Sequence, residues 1–380
     1  MVAFGPALAG QKWHLVMIIP CVHFNRYIEG DLYTTTHNLS LHSSITQFSF
    51  IFIHCHGIQH QGVATELLPV IRVFKDGAVE RLFGSPYVPP SPQDPATGVS
   101  SKDITISPNV SARLFLPNLT QPTTNQKLPI LVYFHGGAFC LESAFSLLDH
   151  NYLNAIVSEA KAVAVSVEYR LAPEHPLPAA YEDCWEALQW VASHAQRETG
   201  PDNYEPWLTN HGDFSKVFIG GDSAGGNIVH NVAMRAGVEG LHGDIRILGG
   251  FLSHPYFWGS EPVGSEPSGS GHEESLAYRV WPFVYPSAPG GIDSPMINPM
   301  KEGAPSLSGL GCSRLLVCVA EKDELRERGV CYYDAVKESG WRGNIELFEV
   351  KGEDHTFHVF NLATENAINM IERLASFLVQ

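Results

Sequence analysis

The chain has 380 residues, 44% of them hydrophobic and 17% charged, enough to bury a large core in one globular unit. Its 24 lysines and arginines stand against 40 aspartates and glutamates, a formal net charge of -16 with no basic block, which excludes nucleic acid as a partner. The seven cysteines (Cys21, Cys55, Cys140, Cys184, Cys312, Cys318 and Cys331) are odd in number and hold no C-x-x-C pair, and no apolar run reaches the roughly 18 residues of a membrane span, so disulfides, a zinc site and a membrane span are not expected and a cytoplasmic location fits.

Residues 1–62 are rich in His, Ile, Phe and Ser, poor in charge, and show no sustained period. They are expected to be an extension, unstructured or misassigned, outside a folded unit at 63–380. His14 to Ile19 is a short apolar core, but it lacks the basic start and small-residue cleavage site of a signal peptide. Asn38-Leu-Ser40 and Asn118-Leu-Thr120 fit the glycosylation sequon, which matters only in a secreted chain.

Ile71 to Lys75 and Ala78 to Leu82, joined by Asp76-Gly77, predict a hairpin. Residues 84–101 read as a loop, and Ile104 to Ile106 and Ala112 to Leu116 as edge strands. Strands and helices then alternate. The apolar run Pro129 to Phe134 predicts a buried parallel strand. A helix over about 147–159, a strand over Ala162 to Glu168 and a helix over Ala180 to Ala195 follow. Next come strand Val217 to Gly220, helix Gly226 to Ala236 and strand Ile245 to Phe251. Residues 256–300, rich in Gly, Pro and Ser, predict an insertion with a short helix near 273–284, placed to help cap a pocket. Strand Arg314 to Ala320, helix Glu327 to Ser339, strand Ile345 to Val350 and helix Thr364 to Leu378 complete the chain. The alternation predicts an α/β fold: one mostly parallel central sheet with helices on both faces.

Gly221-Asp222-Ser223-Ala224-Gly225 fits G-x-S-x-G, with a strand before it and a helix after it. Glycine supplies the strained angles and close packing that expose a serine on such a turn, and the helix N-terminus favours developing negative charge. His135-Gly136-Gly137-Ala138-Phe139 follows directly on a strand. A tetrahedral oxyanion needs backbone N–H donors, so Gly136, Gly137 and Ala224 are the expected three, with Ala138 a tolerated replacement for a third glycine. An acid and a histidine must follow the serine in that order. Asp323 lies past strand Arg314 to Ala320, with Glu321 and Glu324 as local competitors. His355 lies past the last strand, with His358 as its rival. Asp354 adjoins His355 in sequence, whereas an orienting acid normally comes from a separate loop. Lys322-Asp-Glu-Leu325 spells a retention signal that is read only at a C-terminus.

His135 to Phe139, Tyr169-Arg-Leu-Ala-Pro-Glu-His-Pro-Leu-Pro178 and Gly221 to Gly225 together resemble the plant carboxylesterases of the hormone-sensitive-lipase family. Ala179 to Trp185, Pro206-Trp207, Phe257-Trp-Gly259, Ala288 to Asp293 and Arg373 to Phe377 bring the likeness nearest to 2-hydroxyisoflavanone dehydratase-like proteins. The resemblance covers roughly residues 64–380 and leaves 1–62 without a counterpart, as an artefact of gene prediction would. It implies an α/β-hydrolase fold with a small cap, no cofactor and no metal, and a small-molecule partner, an ester or an isoflavonoid-like compound, for a monomer or homodimer. It implies ester hydrolysis through Ser223, Asp323 and His355, or dehydration on the same constellation. Some dehydratases of this group carry threonine at the nucleophile position, where this chain has Ser223. Related alkaloid cyclases and the gibberellin receptors have lost the triad histidine, and His355 disfavours a receptor role here.

Overall fold

The central strands of the main sheet run through largely apolar sequence, and this dictates their burial. The computed structural model describes residues 62–119, 127–195 and 204–379, all within one unit, His60–Gln380. Expectations for residues 1–61, for Cys21 and Cys55, and for the sequon ending at Thr120 lie outside the described residues.

A small antiparallel sheet opens the unit: β1 (Val63–Leu67), β2 (Ile71–Phe74) and β3 (Val79–Arg81), in that order. The remaining strands are β4 (Ser100–Thr105), β5 (Ser111–Leu116), β6 (Leu128–Phe134), β7 (Val163–Glu168), β8 (Gly212–Asp222), β9 (Ile247–Ser253), β10 (Cys312–Ala320) and β11 (Asn344–Val350). They form one sheet in the order β11-β10-β9-β8-β6-β7-β5-β4, parallel from β11 to β7 and antiparallel at β5 and β4. The helices are α1 (Leu147–Ala160), α2 (Ala179–Ser193), α3 (Pro206–His211), α4 (Ala224–Glu239), α5 (Ser270–Glu274), α6 (Leu276–Val284), α7 (Arg326–Glu338), α8 (Phe357–Phe360) and α9 (Glu365–Val379).

Side chains alternate across each strand, so a strand apolar at every position feeds two cores. Ile130, Val132 and Phe134 of β6 join Val163, Val165, Ile219, Leu315 and Val317 in the core under α2, α4 and α7. Leu131 and Tyr133 join Ala164, Phe218, Phe251 and Leu316 on the other face, under α1 and α9. Among the described residues, no helix is long and apolar enough to cross a membrane. The five described cysteines are free.

Three local expectations need correction. β5 is not an edge strand: it lies between β4 and β7. Its Arg113 is buried, with its guanidinium on Asp103 at 2.6 Å and on the Val88 carbonyl at 2.9 Å. β1 escaped detection because its burial does not alternate. α3, six residues long, is too short to show a period; Pro206 at its start and Glu205 accepting from the Trp207 N–H define it instead.

The chain order places the site. After β6 the chain moves outward to β7, then returns to set β8 on the opposite side of β6. The carboxyl ends of β6 and β8 therefore flank a point where strand order reverses, the crevice in which open α/β sheets bind ligands.

Candidate active site

Phe134 and Gly221 are register partners at the ends of β6 and β8, so the loop from His135 and the turn at Ser223 face each other. Ser223 sits between strand and helix with φ 52° and ψ −115°, a conformation that non-glycine residues rarely adopt. Its N–H bonds the Ser253 carbonyl, and its own carbonyl accepts from Tyr256 and Asn227, which fixes the turn. A Cβ on Gly221 or Gly225 would run into backbone of the facing Phe134, so both glycines are dictated by close approach.

Loops beyond β10 and β11 bring in the other two residues. The Ser223 Oγ lies 2.9 Å from His355 Nε2, and His355 Nδ1 lies 2.8 Å from Asp323 Oδ2. The Leu325 N–H donates to Asp323 Oδ1 at 2.9 Å. Asp323 is 5% exposed. Burial pushes its carboxyl up, but the adjacent His355, then His254 and the Leu325 N–H, outweigh burial and hold it below the usual carboxylate range. Burial pushes the His355 imidazole down, but Asp323 and the more distant Asp222 and Glu324 bring it above its ordinary value. Since a carboxylate only accepts, Nδ1 carries the proton and Nε2 is left to accept from the serine.

The competitors lie elsewhere. Glu321 accepts from the Gly352 N–H, and Glu324 is exposed at the cavity rim. Asp354 accepts from the His355 N–H. His358 is fully buried behind the site, its ring against Tyr152 and His254, and burial pushes it down to about 3.

The oxyanion loop lies beside the serine turn. Gly136, Gly137 and Ala138 all line the cavity with Ser223. Gly136 approaches the buried Asp222 carboxylate so closely that a Cβ there would collide. Among the described residues, no hydrogen bond occupies the N–H of Gly137, Ala138 or Ala224. Gly137 and Ala138 stand at φ 101° and 53°, so this loop is strained as the serine turn is. Ala138 thus joins Gly136, Gly137 and Ala224 as a candidate donor. His135 is structural: its Nδ1 donates to the Gly136 carbonyl at 2.8 Å, its ring stacks on Tyr169, and burial lowers it to about 4.

His254 was not singled out from sequence. It follows β9 with φ 49°, is fully buried, and accepts the Thr356 N–H at Nδ1 over 2.7 Å, one residue past His355. The strand-end position that selected Ser223 and His355 also marks His254. Among the described residues, His254, Asp323 and His355 offer ligand atoms within 4.8 Å of one another. Each of those atoms already takes part in one of the hydrogen bonds just described.

The cavity above Ser223 has a volume of about 660 Å³. Leu141, Leu148, Val359 and Phe360 form one wall, and Leu276, Ala277 and Val280 of α6 another. Phe83, just past β3, closes over it against Phe360, the rings 6.0 Å apart.

Residues 131–359 match the family model for the alpha/beta hydrolase fold. The chain is 59% identical over 316 residues to a 2-hydroxyisoflavanone dehydratase of Glycyrrhiza echinata, covering 83% of this chain and 95% of that one. It is 44% identical over 321 residues to probable carboxylesterase 5 of Arabidopsis thaliana, covering 83% and 98%. Among solved structures, an esterase of Pyrobaculum calidifontis superposes with a TM-score of 0.59 at 31% identity, covering 73% of this chain and 84% of that one.

Proposed function

The chain belongs to the alpha/beta hydrolase family, and from that premise we propose that it is a serine carboxylesterase acting on small aromatic or phenolic esters. One observation carries the reading: the unbroken line from Ser223 Oγ through His355 to Asp323, at 2.9 and 2.8 Å, on the floor of a largely apolar cavity. His355 takes the Ser223 proton as Oγ attacks the ester carbonyl, and Asp323 holds the tautomer and supports the imidazolium. The N–H groups of Gly136, Gly137, Ala138 and Ala224 are the candidate donors to the oxyanion. His355 then protonates the leaving alkoxide, and water releases the acyl group by the same steps.

The 59% identity to a 2-hydroxyisoflavanone dehydratase favours a second reading on the same atoms. The oxyanion donors would hold a ring ketone, His355 would remove the proton from the adjacent carbon, and the hydroxyl would leave as water with a proton. A paired assay separates the two. Hydrolysis of p-nitrophenyl butyrate and conversion of 2-hydroxyisoflavanone to isoflavone are measured with wild type and with Ser223→Ala. Ester hydrolysis is expected, and should fall by several orders of magnitude, up to about 10⁶-fold, in the variant with the fold intact. A near-normal esterase rate in Ser223→Ala overturns the triad. Isoflavone formed well above the spontaneous rate, with little hydrolysis, selects the second reading.

A further inference from the structure

Asp149, in the first turn of α1, lines the same cavity as Ser223 yet is only 3% exposed. Its hydrogen bonds constrain its protonation. Ser146 Oγ lies 2.9 Å from the Ser143 carbonyl and 2.9 Å from Asp149 Oδ2. A hydroxyl has one proton, and a carbonyl can only accept. One proton shared between the two acceptors leaves both contacts weak; each is a full two-centre bond only when Ser146 donates to Ser143 and Asp149 donates to Ser146. That requires the acid form.

The surroundings agree. Asp222, at the end of β8, is the neighbouring carboxylate, and it already accepts from the Tyr133 hydroxyl and faces His355 and Gly136. Asp149 has only Ser146. Burial, followed by Asp222, Glu142 and Glu168, pushes Asp149 well above the usual carboxylate range. The N-terminus of α1 favours a charge at this point, but a helix dipole does not offset the burial of a second anion beside Asp222. Tyr133 and Tyr152, the other titratable groups packed here, are themselves held neutral by burial.

Asp149 Oδ1 has no partner among the described residues and is not one of the enclosed, unsatisfied polar atoms. The two oxygens of Glu142, the nearest alternative in this wall, are both taken by Ser85. We propose that Asp149 stands in the cavity as an un-ionised carboxylic acid whose Oδ1 is an acceptor subsite for a hydroxyl or phenol O–H of the substrate. The subsite rests on the reading of this cavity as the substrate site. It repels a carboxylate and leaves a buried acceptor unfilled when the substrate lacks a hydroxyl, a loss that discriminates against the deoxy analogue.

The test compares kcat/KM in wild type, Asp149→Asn and Asp149→Leu for two matched sets of three esters. One set is p-nitrophenyl benzoate with its 3- and 4-hydroxy forms, the other phenyl acetate with its 3- and 4-hydroxy forms. Wild type should favour a hydroxylated member of at least one set about tenfold, the worth of one neutral hydrogen bond. Asp149→Asn should keep that preference, because the amide N–H donates to Ser146 and its carbonyl stands in for Oδ1. Asp149→Leu should erase it, read as the ratio of kcat/KM between hydroxylated and plain ester within that one protein. No preference in wild type, an unchanged preference in Asp149→Leu, or its loss in Asp149→Asn overturns the proposal. Should Asp149→Leu not fold, infrared difference spectra of wild type against Asp149→Asn at pH 7 decide: a protonated carboxyl band must be present in wild type, and its absence refutes the subsite. Ser223→Ala reports separately on the triad, and if that reading fails, the same preference is read from calorimetric binding of 4-hydroxyacetophenone against acetophenone.

Discussion

Asp323 and His355 move each other's protons in opposite directions, the carboxyl down and the imidazole up. His355 must be neutral to accept the serine proton, so activity is lost as pH falls through its pKa. Because that pKa is raised, the acid limb of kcat/KM should lie above pH of about 6.5, the ordinary imidazole value. Asp323→Asn removes the largest upward influence. It should move the limb to lower pH and lower kcat by about 10⁴-fold through the wrong tautomer. A pH–rate profile of both proteins decides, and an unmoved limb would detach Asp323 from His355. Ser223, Asp323 and His355 were legible as candidates because each lies in the turn or loop that follows a strand. Asp149 was not: in Leu147-Leu-Asp-His it reads as an exposed acid at a helix start, and nothing local signals that the fold will set it beside Asp222.

At the scale of elements, the turn between β8 and α4 shows space overriding propensity. Gly225 and Gly226 both lie in the first turn of α4, where alanine is the better helix former by roughly 1 kcal/mol. A Cβ on Gly225 would overlap the Phe134 carbonyl, which is fixed in the centre of the sheet. One on Gly226 would sit 3.1 and 3.2 Å from Pro255, tight but not overlapping. Gly225→Ala should therefore lower Tm and activity together, at a cost of roughly 1–3 kcal/mol, and Gly226→Ala should cost clearly less. Equal Tm values in thermal denaturation would sink this account. The same distinction explains what could be read of the fold. The apolar strands β6 to β11 and the longer helices announce themselves by pattern. β1 does not, because its burial does not alternate, and α3 does not, because it is too short to show a period; the inner place of β5 does not, because the more distant β7 takes its second edge beside β4.

Over the whole molecule, charge is unevenly shared along the chain. Residues 1–61 hold Lys12 and Arg26 against Glu29 and Asp31, so the entire net charge of -16 belongs to residues 62–380. That unit also carries the cavity, whose mouth presents Glu324 and Asp354 with one cation, Lys322. A field of this sign slows the approach of anionic substrates and leaves neutral ones untouched. The effect reaches about 30 Å at 0.01 M salt and only about 8 Å at 0.15 M. For the p-nitrophenyl hemiester of succinate, kcat/KM should therefore rise severalfold between those two salt concentrations, while that for p-nitrophenyl butyrate stays level. A fall with added salt would mean that Lys322, not the net charge, governs what the cavity mouth attracts, and the choice of neutral over anionic esters would then rest on the cavity walls alone.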